Sequence, residues 1–342
     1  MRAVRRTGPL NWRTRRTAAA LLALASLSAC APRAAAPAAA GAGEPVSLRF
    51  GWPVGMQAQV QTDAVRQRVI GGQTREGATT TTYALAVRED ADGVLVQSYD
   101  VRSQIRSDGA SPEQQALLGF FARASASLPS LVVGPNGQVV ALRGVAELRR
   151  ELSNAVKPLL RANPDQADAV QQSFETMFAE ERIAASVAGQ WTPIVGAWAG
   201  ANLVVGQTYE GSDQQPGPLV PDMPIIMAYE YRIARRLPCA AGGTGLDCVE
   251  IHLVSRPTDE ALPAIRASMQ QLFTMNAPQG APMPDIDDLA VENTLLLVTE
   301  PATLRPYRLV QERTVSGTVQ QAEQPDVAVR QVERAESTYR YR

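Results

Sequence analysis

The feature that most limits what this chain can fold into is a period-two alternation of apolar and polar residues. In TTTTYALAVR (79–88), Tyr83, Leu85 and Val87 fall on one side of an extended backbone. The segment VLVQSYDVRS (94–103) repeats the pattern after the turn EDADG. Successive side chains of a strand point to opposite faces, so this alternation indicates antiparallel strands with one buried face. The sequence therefore predicts β-hairpins.

Hairpins and helices follow one another in the same order in the two halves of the chain. The first half runs hairpin 79–103, helix 111–129 and hairpin 130–144, and the second runs hairpin 225–256, helix 258–276 and hairpin 290–317. The closing segment VAVRQVERAESTYRYR (327–342) also alternates and is predicted to complete a sheet edge. The predicted fold class is therefore α+β: antiparallel β-sheets of hairpins covered by helices, in two similar hairpin–helix–hairpin halves.

A helical insert is predicted between the halves, over residues 145–190. Val145, Leu148 and Leu152 recur at helical spacing, and Asn163 before Pro164 is typical of the start of a second helix. Four aromatic residues in or beside the insert have two interpretations: Trp191, Trp198, Phe174 and Phe178. They either line a pocket for an apolar ligand or complete the hydrophobic core, which is the commoner role of such side chains.

The first 29 residues have the layout of an export signal. Six arginines precede Thr17–Ala29, an apolar segment of 13 residues that is too short for a stable membrane span. The last three residues of this signal and the cysteine that follows them, Leu27-Ser28-Ala29-Cys30, resemble the lipobox of bacterial lipoproteins. That resemblance implies cleavage before Cys30 and attachment of diacylglycerol to its sulfur. The alternative is an ordinary signal peptide that happens to contain Cys30.

The lipobox resemblance also implies a location. Because the residue after Cys30 is Ala31 and not aspartate, the enterobacterial sorting pattern implies delivery to the outer membrane, on its periplasmic face. The segment APRAAAPAAAGAGEP (31–45) has almost nothing to bury and is predicted to be a disordered tether. The expected organisation is thus a signal peptide (1–29), a tether (30–45), an N-terminal β-rich half (46–144), the helical insert (145–190) and a C-terminal β-rich half (191–342).

Cys239 and Cys248 are the two cysteines that remain after Cys30. They flank AAGGTGLD, and a strand-like segment adjoins each of them. In an exported protein two such cysteines are expected to form a disulfide across the mouth of a hairpin. A zinc site is the competing interpretation, but it needs three or four cysteine or histidine ligands, and His252 is the only histidine in the sequence.

Composition argues against several classes of function. Six of the 33 basic residues precede Cys30 and none of the 34 acidic residues does, so the remaining chain carries a net charge of −7. An acidic chain without a basic cluster is a poor candidate for binding nucleic acid. No phosphate-binding glycine loop is present, and His252 falls on the polar side of a predicted strand. The sequence therefore predicts no catalytic residue, no metal and no cofactor.

The remaining clues favour a binding protein. VVGPNGQVV (132–140) and NLVVGQTYEG (202–211) resemble segments of uncharacterised exported bacterial proteins of β-meander type. A curved sheet covered by helices is also similar in architecture to outer-membrane lipoprotein-sorting and lipid-carrier domains. We expect a non-catalytic envelope lipoprotein that holds an apolar ligand or docks an envelope protein. The alternative is an envelope hydrolase with a carboxylate-based site, since acidic residues are plentiful and cluster at PDIDDL (284–289).

Overall fold

The computed structural model describes residues 43–107, 129–162, 171–172, 175, 178–215, 224–240, 247–276, 285–321 and 324–342. The signal peptide, the tether up to residue 42, nearly all of the predicted helix 111–129 and Phe174 lie outside these residues. The helices are α1 (Val145–Ala162), α2 (Glu180–Trp191) and α3 (Leu262–Asn276), and a π-helical turn (Thr192–Gly196) follows α2 directly.

Most of the described chain is β-strand. The strands are β1 (Pro45–Ser47), β2 (Gln57–Ile70), β3 (Gln73–Asp90), β4 (Gly93–Ser107), β5 (Ser130–Val133), β6 (Val139–Arg143), β7 (Asn202–Val204), β8 (Thr208–Gln215), β9 (Ile225–Leu237), β10 (Cys248–Pro257), β11 (Asp285–Thr299), β12 (Pro306–Gln321) and β13 (Gln324–Tyr341). Eleven of them form one antiparallel sheet in the order β6-β5-β4-β3-β2-β13-β12-β11-β10-β9-β8. The other two, β1 and β7, pair with each other.

The predicted α+β class is wrong. The two halves do not form separate sheets under helices, because β2 pairs with β13 along most of its length, from Ala58 opposite Tyr341 to Ile70 opposite Val329. The final strand β13 therefore lies in the middle of the sheet and not at an edge. Period-two alternation identifies a strand and its buried face, but it carries no information about which distant strand becomes its neighbour.

Within the described residues, helices cover much less of the sheet than predicted. In the described chain, α1 packs on α2, α2 contacts β6, and α3 packs on β11. Meanwhile β3 and β13 each run for 18 residues, against a usual strand length of about five or six. Within the described chain, the main contacts of β2, β3 and β13 are thus with the strands beside them in the sheet.

One end of the sheet closes around a plug, by which we mean residues 43–56 and 191–207. The strand ends that meet it contribute the largest set of buried side chains, including Val60, Leu85, Ile233, Ile251, Leu297 and Tyr339. Pairing registers place these residues on the same face, which we call the inner face. The hydrophobic core is therefore concentrated at this end.

Strands near the two opposite edges of the sheet contact the same short stretch of the plug. The β5–β6 hairpin accepts a hydrogen bond at Gly137 O from Trp191 Nε1 (2.8 Å), while Trp198 packs edge-on against Tyr231 of β9 with ring centroids 5.8 Å apart. From β6 to β9 the sheet has nine inter-strand steps, which would span about 43 Å if the sheet were flat. Seven residues of helix rise only about 10 Å. The sheet must therefore curl into an open barrel around the plug.

Candidate ligand-binding site

The predicted Cys239–Cys248 disulfide is confirmed. The two Cα atoms lie 5.0 Å apart, and the bridge joins Cys239, two residues after β9 ends, to the first residue of β10. Cys248 is fully buried, so the bond fastens the hairpin at the plug end of the barrel.

Trp191 and Trp198 lie in the plug, where they are 4% and 1% exposed. Trp191 packs against Trp52 with ring centroids 5.0 Å apart, and Trp198 Nε1 donates to Pro193 O at 2.8 Å. Their indole N–H groups are satisfied by backbone carbonyls, as buried tryptophans require. Of the two interpretations left open by the sequence, the structure places these two side chains in the core. Phe178 is partly buried and lies two residues before α2 begins at Glu180.

His252 lies on the outer face of β10 and hydrogen-bonds to Glu250 (Nε2 to Oε1, 2.9 Å). Arg235 Nη2 donates to the other oxygen of Glu250 at 3.1 Å. Burial raises the pKa of Glu250, but hydrogen bonds and charge from Arg235 and His252 outweigh it and leave the pKa below its ordinary value. Within the described chain no hydroxyl hydrogen-bonds to His252, and its hydrogen bond to Glu250 joins it to the Arg235–Glu250 ion pair.

The acidic segment at the start of β11 forms a bulge. Asp288 has a positive φ of 50°, and the pairing register with β12 shifts between Asp287 and Ala290. Asp287 accepts a hydrogen bond from Gln320 Nε2 at 2.8 Å, and Asp285 accepts one from Gln270 Nε2 at 3.4 Å. Within the described residues no three histidine, cysteine or acidic side chains are grouped as metal ligands would be.

Beyond the plug, the inner face of the central strands is lined by small and hydroxyl-bearing side chains. The first row across the sheet contains Thr62, Thr81 and Ser337, joined in part by a Thr62–Ser337 hydrogen bond of 2.8 Å. The next row, here called the alanine row, consists of Leu295, Gln311, Ala335, Ala64, Thr79 and Ile105. Most of these side chains are only partly buried. Three small residues of this row, Ala335, Ala64 and Thr79, lie between the larger Gln311 and Ile105, and we call this stretch of small side chains the depression.

A charged row follows the alanine row on the side away from the plug. Cα pairing aligns Ser255, Asn293, Arg313, Glu333 and Arg66 across five neighbouring strands, and we call this set the arginine row. Sequence reasoning missed it, although one signal was available. Arg66, Arg313 and Glu333 each occupy the strand parity of the buried apolar residues Val60, Leu309 and Tyr339.

The arginine row contains more positive than negative charge. Arg66 Nε lies 3.1 Å from Glu333 Oε1, whereas no carboxylate of the described chain is within 4.0 Å of Arg313. Arg68 and Arg75, which are Cα partners one step further from the plug, add two more guanidinium groups. On the inner face of β2, β3, β12 and β13 beyond the plug, Glu333 is the only described carboxylate.

The outer face carries a separate shallow groove. It has a volume of about 480 Å³ and lies at the far end from the plug, between the bulge at Asp288 and the residues Val69, Ser316 and Arg330. Gly317 and Val329 are also among the residues that line it. A substitution at this groove can serve as an outer-face control for substitutions on the inner face.

Comparison with known proteins assigns no role to either face. No family model matches the chain, and no curated protein matches it. No helix within the described ranges is long and apolar enough to cross a membrane.

Proposed function

We propose that the protein is a lipid-anchored envelope protein that binds a long apolar chain against the inner face of its open barrel. The observation that carries the proposal is the extension of the central strands beyond the plug, with a depression of small side chains along their inner face. Anchorage is proposed to occur through a diacylglyceryl group on Cys30, at the periplasmic face of the outer membrane. The Cys239–Cys248 disulfide supports an oxidising compartment.

The dimensions of the inner face suit such a ligand. From Val60, at the edge of the plug, to Ile70, at the end of β2, the strand rises about 33 Å. One leaflet of a bilayer, which holds one layer of acyl chains, is about 15 Å thick. An extended acyl chain therefore fits between the plug and the open end with room to spare.

The energetics also favour an apolar occupant. Burial of each methylene group stabilises a complex by about 0.8 kcal/mol. Ten buried methylenes contribute about 8 kcal/mol before the loss of ligand freedom is subtracted, which leaves micromolar or weaker binding in reach. The hydroxyl groups of Thr62 and Ser337 hydrogen-bond to each other, so only one O–H donor of the two is left by this bond.

The test is a matched pair of substitutions on β2. Ala64 faces inward in the alanine row, and its neighbour Val65 faces outward with 42% of its surface exposed. In residues 31–342, which include the whole described fold, Ala64→Phe is expected to weaken binding of an environment-sensitive apolar dye at least tenfold. The phenylalanine ring is expected to displace about two methylene groups of the dye from the inner face. Their loss of burial costs about 1.6 kcal/mol, which corresponds to slightly more than a tenfold change in affinity. Val65→Phe is expected to leave the affinity unchanged.

Two results would contradict this function. The first is the absence of saturable dye binding together with the absence of lipid in solvent extracts of the purified protein, and docking of an envelope protein would then replace ligand binding. The second is an equal effect of Ala64→Phe and Val65→Phe, which would move the dye away from the inner face.

A further inference from the structure

The arginine row has an excess of positive charge that the described chain does not neutralise. Arg66 is engaged by Glu333 at 3.1 Å and also donates to Gln331 at 3.1 Å, and Gln331 Nε2 donates to Glu333 at 2.9 Å. The single carboxylate is thus already shared by two donors. Arg313, directly opposite Glu333 on β12, forms no ion pair within the described residues.

Placing these arginines together is unfavourable without a counter-ion. Burial lowers the pKa of Arg313, the charge of Glu333 partly offsets this, and the charge of Arg66 lowers the pKa further. The pKa of Arg68 is also lowered, first by burial and then by the charges of Arg66 and Arg75. Burial and mutual repulsion disfavour the charged forms of these arginines. A bound anion would favour the charged forms again.

The guanidinium groups also have the shape that such an anion needs. A guanidinium presents its N–H donors in a planar fork that pairs with both oxygens of a carboxylate or phosphate. Asn293, next to Arg313 in the same row, adds an amide donor. Its Nδ2 also donates a hydrogen bond to Ser255 Oγ at 3.3 Å. The row therefore offers several donors and a single carboxylate, Glu333, whose Oε1 is already in an ion pair and accepts a hydrogen bond.

The arginine row lies beside the depression, on the side away from the plug. The alanine row separates it from the plug, and Arg66 is six residues from Val60 along β2, a rise of about 20 Å. An acyl chain of one leaflet's length fits in that interval. A ligand with its tail toward the plug would therefore present its head at the level of Arg66 and Arg313.

We propose that Arg313 and Arg66, with Arg68 beside them, bind the anionic head group of an amphiphile whose acyl tail lies along the alanine row. The head group is a carboxylate or a phosphate monoester. This inference rests on the proposed function, since it names the class of ligand that the inner face takes.

The test compares two probes that share a tail and differ in the head. The first is a fluorescent polyunsaturated fatty acid, the second is its methyl ester, and both are titrated into residues 31–342. We expect the acid to bind at least tenfold more tightly than the ester. Arg313→Gln should reduce this ratio to within twofold of one while the affinity for the ester stays the same. Arg330→Gln, at the outer groove, should leave both affinities unchanged.

The outcomes separate the two proposals. Equal binding of acid and ester to the unaltered protein would overturn the head-group site and leave the apolar site standing, whereas failure of both probes to bind would overturn the function itself. A loss of the acid preference in Arg330→Gln would place the anion at the outer groove and reject the inner site.

Two further measurements complete the design. Titration with inorganic phosphate alone tests whether the site takes a free anion, and affinity within tenfold of that for the fatty acid would reject the amphiphile. If Arg313→Gln does not fold, as judged by circular dichroism, Arg68→Gln is used in its place, since Arg68 is more exposed than Arg313. An unchanged acid-to-ester ratio in a folded Arg68→Gln protein would then count against the proposal.

Discussion

The contact between the β5–β6 hairpin and the plug can be tested at Gly137. This residue has a φ of +78°, and a Cβ atom there would lie 2.8 Å from the Cβ of Ala199 and 3.0 Å from the Cβ of Phe50. Neither neighbour is the end of a flexible side chain, so Gly137→Ala forces the hairpin and the plug apart. Because Gly137 O also accepts the hydrogen bond from Trp191, the substitution strains the point at which one side of the sheet closes onto the plug.

The magnitude follows from two terms. A left-handed backbone conformation costs about 1–2 kcal/mol for a residue with a Cβ. Overpacking of a well-packed core adds about 1–3 kcal/mol. The control is Gly72→Ala in the β2–β3 turn, where φ is also +78° and nothing lies within 4 Å of the added Cβ, so only the first term applies. The difference between the two variants is therefore expected to be about 1–3 kcal/mol.

The assay is equilibrium unfolding in urea, followed by tryptophan fluorescence and by circular dichroism. Trp191 and Trp52 are close to Gly137, so the fluorescence reports on the plug. We expect Gly137→Ala to lower the free energy of unfolding more than Gly72→Ala does. Equal losses would refute the reasoning, because they would mean that the hairpin does not press on the plug and that the sheet does not close there.

Three other predictions concern the disulfide, a carboxylate and the anchor. Reduction of the Cys239–Cys248 bond, or its removal by Cys239→Ser, should lower the free energy of unfolding by roughly 2–3 kcal/mol for so short a loop, and no change between oxidised and reduced protein in urea unfolding would contradict this. Because the pKa of Glu250 is lowered in the folded state, its contribution to stability should be complete above about pH 4.5, the unfolded value, and be lost as the pH falls through the lower folded value. Unfolding at a series of pH values should show a weaker acid dependence for Glu250→Gln, and an identical pH profile argues against the shift. Expression of the full chain in a Gram-negative host with a palmitate analogue should label the protein, and Cys30→Ala should abolish the label; unlabelled soluble wild-type product would exclude lipidation.

Local pattern was sufficient for some of the strands. The hairpins around β3 and β4, β5 and β6, β9 and β10, and β11 and β12 were predictable because apolar residues alternate there and short turns separate the strands. The strand β2 was not, since its inner residues beyond Val60 are Thr62, Ala64 and Arg66, which do not form an apolar stripe. A strand whose inner face lies outside the core loses the signal on which the prediction depends.

The neighbours of β13 and the candidate site could not be predicted from local sequence pattern, for a different reason. Arg66, Arg313 and Glu333 come from three strands, and only the β2–β13 pairing places the first beside the third. Each is a charged residue at an inward strand position, so each was recognisable as unusual on its own. Their proximity depends on long-range register, which alternation within one segment cannot provide.

The pairing of β2 with β13 also has a consequence for how the chain reaches its native state. The first long strand has one of its two neighbours only when the last residues of the chain are present, so this contact has the highest sequence separation in the sheet. Proteins dominated by such non-local contacts fold slowly. Until β13 arrives, β2 and β12 are unpaired edges, and exposed edges of that length promote aggregation. A chain that stops before Gln324 would keep both edges permanently open, so the final strand acts as the closing step of assembly, and premature termination there should yield insoluble protein.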